Sequence, residues 1–237
     1  MKNNPKDPYF KHFVEDIEQR YHIRVLLVDD YKEIQIILNE LNSRIRSKRV
    51  FVSGAFSSFT SEIEEYSHNL SRNLASSLLE NDYRIVNGIG RRFGTHLIGY
   101  ANEYLAKQGV KDIEKHLIVK PFVGNTQGAA EEKYRSRKKV IGQCGTAIFV
   151  FGEMNENSSA TKSGVMEEFE IACEQHKTII PIAYPGMVSE IIWEKVKGEL
   201  TRYPYLEGRI DLLTSVQSPE FLSQIIIHIL DSVQESM

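Results

Sequence analysis

From Val50 onward the chain alternates between two apolar patterns. Short continuous runs (VFVSG at 50–54, YRIVNG at 83–88, HLIVKPF at 116–122, TAIFVFG at 146–152, KTIIPIAYPG at 177–186) are separated by longer stretches at 60–80, 95–107, 129–142 and 164–175 in which apolar residues recur at helical spacing. A continuous apolar run bounded by turn residues reads as a strand covered on both faces, and a recurrence every three or four residues reads as a helix with one buried side. Two further helices, 187–198 and 219–234, follow the last strand. The alternation predicts an α/β protein: a Rossmann-like, doubly wound, mostly parallel sheet with helices on both faces. Such sheets hold ligands at the carboxyl ends of their strands, where the strand order reverses. Three of the predicted strands run into glycine at that edge, at Gly54, Gly88 and Gly152.

The first 48 residues follow a different rhythm. FKHFVEDIEQR (10–20) predicts a helix, IRVLLVDD (23–30) a buried strand, and EIQIILNELNSRI (33–45) a helix with Ile34, Ile37, Leu38, Leu41 and Ile45 on one side. A basic, polar stretch, SRIRSKR (43–49), then predicts a hinge. Helix–strand–helix is too little for a domain, so residues 1–48 read as the tail of one and 49–237 as the domain proper.

Composition narrows the function. The chain has 237 residues, 41% hydrophobic and 26% charged, with a formal net charge of −3. There is no global basic field to bind nucleic acid, so any anion site must come from local Arg and Lys. The two cysteines, Cys144 and Cys173, have neither disulfide-framework nor zinc-cluster spacing, which fits a reducing cytoplasm. The polar start, MKNNPKDPYFKHF, lacks a signal-peptide core, and no apolar run reaches membrane-span length. The expectation is a cytoplasmic protein with no metal, nucleic-acid or membrane partner.

Four stretches carry candidate chemistry. SGAFSS (53–58) puts Ser53, Gly54, Ala55, Phe56, Ser57 and Ser58 after a strand, where backbone N–H groups and hydroxyls approach a phosphate or ribose. NGIGRRFG (87–94) places Gly88, Gly90 and Gly94 as GxGxxxG, out of step with a dinucleotide fingerprint, and interrupts it with Arg91 and Arg92. The next strand carries Lys120 where a nicotinamide-binding unit needs an acid, which argues against an ordinary dehydrogenase. EEKYRSRKKVIGQCG (131–145) offers Arg135 and Lys138 on one helix side and Tyr134 and Arg137 on the next. SGVMEEFEIA (163–172) follows Gly152 and Glu153, with Ser163 as a helix cap, then Gly164, Glu167 and Glu168. Arg and Lys suit phosphate oxygens, and a carboxylate suits ribose hydroxyls. His22 and His96 read as incidental, with a pocket role left open for His96.

Taken in order, the four stretches resemble the SLOG superfamily, which includes the lonely-guy phosphoribohydrolases. SGAFSS matches that family's first small-residue loop, and NGIGRRFGTHLIG its GGGxxGxMG loop, keeping Gly88, Gly90, Gly94 and Gly99. YRSRK (134–138) overlays MHxRK, with Arg137 on the family arginine, and SGVMEE overlays PGGxGTxxE, with Glu168 on the glutamate. The tight PGG turn is replaced by a longer polar loop, EMNENSSATK, which points to a pocket kept for binding rather than catalysis. A closer similarity, over about 49–237, is to the C-terminal SLOG domain of the ThsA-type NADases of the Thoeris antiphage system, and 1–48 resembles the end of the sirtuin-like domain that precedes it. The resemblance implies a ligand, a cyclic ADP-ribose isomer such as the 2′ or 3′ glycocyclic form made by a TIR enzyme. It also implies a linked sirtuin-like NAD+ hydrolase domain that the ligand activates. It implies a homo-oligomer (a SLOG dimer, a tetramer in the parent protein), with no cofactor and no catalytic residue in this chain. The alternative is a lonely-guy-like nucleoside-monophosphate phosphoribohydrolase. Between Arg135 and Arg137, and between Glu167 and Glu168, the resemblance leaves the key ligand contact open.

Overall fold

A computed structural model describes residues 8–28, 30–57, 60–122, 129–154 and 163–235. Contacts divide the chain into two compact units, Met1–Asn42 and Ser43–Met237.

In the first unit, α1 (Pro8–Tyr21) is followed by the start of α2 (Tyr31–Ser47). The strand predicted over 23–30 does not form: residues 22–28 have no regular structure, and Ile23, Leu26 and Leu27 are exposed. A strand needs a partner for its N–H and C=O groups, and none pairs with this segment among the described residues. The chain instead leaves α1 through a left-handed His22 (φ 53°), and the Val25 amide donates to the Glu18 carboxylate at 3.1 Å. The stretch predicted as a hinge, 43–49, begins where the two units divide. Helix α2 continues to Ser47, and β1 (Arg49–Ser53) starts two residues later.

The second unit is built on β1, β2 (Arg84–Asn87), β3 (Leu117–Val119), β4 (Thr146–Val150) and β5 (Thr178–Ile182). They form a parallel sheet in the order β3-β2-β1-β4-β5. Its centre is apolar on both faces: Val50, Phe51, Val52, Ile85, Val86, Ala147, Ile148, Phe149 and Val150 are buried. This is why the strands read as continuous runs. Helices α3 (Ser61–Glu80), α4 (Phe93–Lys107) and α8 (Pro219–Glu235) form one packed group, and α5 (Ala129–Ile141), α6 (Gly164–Glu174) and α7 (Val188–Gly198) another. With right-handed crossovers, the chain winds outward from β1 to β3 on one face, then returns to β4 and winds out on the other. The order reverses between β1 and β4, which defines the crevice at their carboxyl ends.

The two long helices α3 and α8 pack on each other within the unit. The Tyr83 hydroxyl donates to Asp231 at 2.9 Å, joining the start of β2 to α8. No helix among the described residues is long and apolar enough to cross a membrane.

Candidate functional site

A cavity of about 410 Å³ opens at the carboxyl edge of the sheet. The loop after β1 contributes Ser53 to Ser57, the loop after β2 contributes Asn87 to Arg91, and the first turn of α6 contributes Ser163, Gly164, Val165 and Glu168. Lys133 and Arg137 of α5, together with Phe122 and Glu153, complete its polar and aromatic wall.

The floor is a buried ionic triad. Arg137 Nε donates to Glu168 Oε1 at 3.0 Å, and the Ser53 hydroxyl donates to Glu168 Oε2 at 2.5 Å. Arg137 Nη1 donates to Glu167, its guanidinium lies 5.3 Å from the Phe122 ring centroid, and its side chain is 8% exposed. Arg137 is buried because α5 turns one side inward: Val140 and Ile141 are core residues, and Lys133 and Arg137 continue that side by one and two turns. Burial pushes the Glu168 carboxyl above the usual range, against the opposing pull of Arg137 and of the Ser53 hydroxyl.

The walls of the cavity meet at glycines that allow close approach. One built on Gly90 would lie 2.0 Å from the Gly54 carbonyl oxygen, so the loops after β1 and β2 touch backbone to backbone. One built on Gly164 would lie 2.6 Å from Arg137 Nη2, which sets the guanidinium against the first turn of α6. Asn87 ties the β2 loop down: its Nδ2 donates to the Val52 carbonyl at 2.8 Å, and its Oδ1 accepts from the Ile89 amide at 2.7 Å. Ile89 is thereby held left-handed (φ 59°), a conformation a β-branched residue rarely adopts, at the cavity wall.

The structure brings Ser53, Gly54, Ala55, Phe56, Ser57, Gly88, Gly90, Arg91, Arg137, Glu153, Gly164 and Glu168 of the sequence-predicted set to this cavity. The two arginines of the glycine turn diverge. Arg91 faces the cavity and donates to Ser57 at 3.2 Å, whereas Arg92, left-handed at φ 57°, turns to Glu64 at 3.1 Å. Five other predicted residues also stand off the lining. Arg135 is exposed and pairs with Glu131 on its own helix. Lys120 is exposed, and only its backbone amide reaches Asn87. Glu167 backs Arg137 from outside. Gly94 packs inside α4 against Asn87 Oδ1, and Gly152 (φ 94°) is a bend packed on Val188 and Val165. Ser163 has a cap's extended backbone, but its hydroxyl makes no capping bond. Ser58 and residues 155–162 of the polar loop lie outside the described residues.

Sequence reasoning missed Asn87, Phe122 and Lys133. For Lys133 the signal was available, since it lies four residues before Arg137 and eight before Ile141. Phe122 gave none: it packs on Gly88, where a Cβ would lie 2.0 Å from its ring. His96 is not in the cavity and bonds Ser67 at 3.0 Å.

Known proteins match this chain as follows. The family model described as the Sir2- and TIR-associating SLOG family covers residues 33–233. The NAD(+) hydrolase ThsA of Bacillus cereus (strain MSX-D12) is 30% identical over 215 residues, which are 89% of this chain and 44% of that protein. The NAD(+) hydrolase ThsA of Enterococcus faecium is 30% identical over 191 residues, 78% of this chain and 38% of that protein. That of Cytobacillus dafuensis is 27% identical over 197 residues, 78% and 39% respectively. The matched region is thus less than half the length of these curated relatives.

Proposed function

The chain belongs to the Sir2- and TIR-associating SLOG family, and from that premise we propose that its Ser43–Met237 unit is a sensor for a cyclic ADP-ribose isomer that regulates a linked sirtuin-like NAD+ hydrolase. The observation that carries this reading is the Ser53–Glu168–Arg137 floor, set beneath two glycine loops and the uncapped first turn of α6. A compact pyrophosphate ligand with two riboses asks for that combination. The pyrophosphate takes the amides of the loops and of the α6 start, with charge from Arg91, Lys133 and Arg137. Ribose hydroxyls compete with Ser53 for Glu168. Each charge-assisted hydrogen bond contributes about 1.5–3 kcal/mol. Regulation of a hydrolase is part of the proposal because the named hydrolases are more than twice as long as the segment matched here.

Isothermal titration of the full chain with the 2′ and 3′ glycocyclic isomers tests the reading. Saturable binding to one of them is expected, and absence of heat from every isomer with a folded protein overturns it. A phosphoribohydrolase is the second reading, favoured by the presence of Arg137 and Glu168 on one cavity wall. Release of adenine from AMP would select it over a sensor without catalysis.

A further inference from the structure

Beside the arginine turn, outside the lining of the described cavity, three side chains converge. Glu64 and His68 are one helical turn apart on α3, and His96 comes from the first turn of α4. A carboxylate oxygen and one nitrogen from each ring all lie within 4.8 Å of one another. His96 Nε2 is 3.5 Å and His68 Nε2 3.8 Å from Glu64 Oε1. The two rings stack with centroids 3.8 Å apart and planes 21° from parallel, and both Nε2 atoms lie beside Glu64 Oε1.

We propose that Glu64, His68 and His96 form a binding site for a divalent first-row transition-metal ion of the zinc class, with the Glu64 carboxylate and both Nε2 atoms as ligands.

Two observations support it independently of the cluster's composition. Each Nδ1 is already engaged by a hydroxyl, His96 by Ser67 at 3.0 Å and His68 by Tyr100 at 3.1 Å. A hydroxyl oxygen that accepts the Nδ1–H leaves the Nε2 lone pair as the ligand and fixes the ring's orientation, the arrangement metal-bound histidines use. Tyr100 is held in turn by Arg72, whose Nη2 donates to its hydroxyl at 3.2 Å. Second, Glu64 Oε2 is buried and has no hydrogen-bond partner among the described residues. An orphaned buried carboxylate oxygen costs stability unless a water or an ion satisfies it.

The ligand set decides the metal class. Two imidazoles and one carboxylate suit zinc, cobalt or nickel, whereas calcium and magnesium require mostly oxygen. Ligands at about 2.0–2.2 Å from a shared ion stand about 3.2–3.5 Å apart, so binding requires the two rings to turn out of their stack until both Nε2 lone pairs meet the ion. The guanidinium of Arg92 now donates to Glu64 Oε1 at 3.1 Å, and its side chain is 36% exposed. An ion takes over its charge at that oxygen and turns it outward. Metal binding therefore ties α3 to α4 immediately beside the loop that carries Arg91 into the cavity.

Chelator-stripped full chain titrated with cobalt(II) alone tests the site through its visible ligand-field absorption. The expected result is saturation at a single equivalent, displacement by zinc(II), and binding weaker by about tenfold or more in His68→Gln and in His96→Gln. The exposed His228→Gln serves as the unchanged control. Wild-type protein that gives no imidazole-type absorption overturns the proposal, whether or not the variants fold. Equal binding by the folded variants also overturns it, leaving an adventitious ion on exposed histidines.

Discussion

Arg135 and Arg137 stand two positions apart on α5, and their surroundings differ completely. Arg135 is three-quarters exposed and meets Glu131 four residues earlier, a pair worth about 0.3–0.5 kcal/mol in water. Arg137 is buried against Glu168 and Glu167. Arg137→Ala leaves a buried carboxylate without its cation and is expected to cost about 3–5 kcal/mol. Arg135→Ala is expected to stay within about 0.5 kcal/mol of the wild type. Urea unfolding of both variants checks the contrast, and isomer titration of Arg135→Ala checks whether ligand binding survives its loss. Glu168 adds a pH dependence. Its raised pKa means that the folded protein keeps a proton the unfolded chain releases above about pH 4.3. Stability from this group is full below that value and is lost as pH rises through the folded-state pKa. Glu168→Gln removes the titration, so the fall of the denaturant midpoint with rising pH from about 4 upward is expected to flatten. A variant that keeps the wild-type slope would place the dependence elsewhere. Identity and spacing pointed to both arginines and both glutamates. For the arginines the choice depends on which side of α5 faces the sheet, and the position of Val140 and Ile141 already encoded that.

At the scale of elements, the site is an arrangement of loops held by what is missing at glycines. Gly90 sits on the Gly54 carbonyl, and backbone cannot move aside as a side-chain tip can. Gly90→Ala is therefore expected to force the loops after β1 and β2 apart, cost about 1–3 kcal/mol, and abolish isomer binding. Gly99 tests the converse. It was read as part of the same family motif, yet it lies exposed inside α4 with no atom within 4 Å of a built Cβ. Gly99→Ala is expected to stabilise by about 1 kcal/mol, through helix propensity, and to leave binding intact. Thermal unfolding of the pair separates a glycine required for close approach from one that is not. The five strands and their glycine ends were legible because a strand covered on both faces leaves a continuous apolar run. IRVLLVDD shows the limit of that signal. It has the composition of a strand, yet residues 23–28 lie in coil, because pairing is a property of neighbours and no described strand pairs with them. The divergence of Arg91 and Arg92 was equally hidden, since it follows from one left-handed residue at the start of α4.

At the scale of the whole molecule, the core belongs to one unit. Every buried apolar residue from Val50 to Leu230 lies in Ser43–Met237, and neither α1 nor α2 buries a residue. The first unit instead exposes Tyr9, Phe13, Leu26, Leu27, Tyr31 and Ile36. Stability in a domain of this size comes mainly from buried apolar area. Removing residues 1–42 is therefore expected to leave the denaturant midpoint and isomer affinity of the remaining unit unchanged. The cut keeps the end of α2, where the Arg46 carbonyl accepts from the Gly145 amide at 2.7 Å and a Cβ on Gly145 would lie 2.8 Å from Ser47. That short stretch anchors the approach to β1, so a cut at Arg49 is expected to destabilise where a cut at Ser43 does not. Loss of the exposed apolar surface is expected to reduce self-association, read as a smaller concentration dependence in light scattering. If the Ser43 cut lowered unfolding free energy by more than about 1 kcal/mol, the first unit would be contributing to the fold of the second.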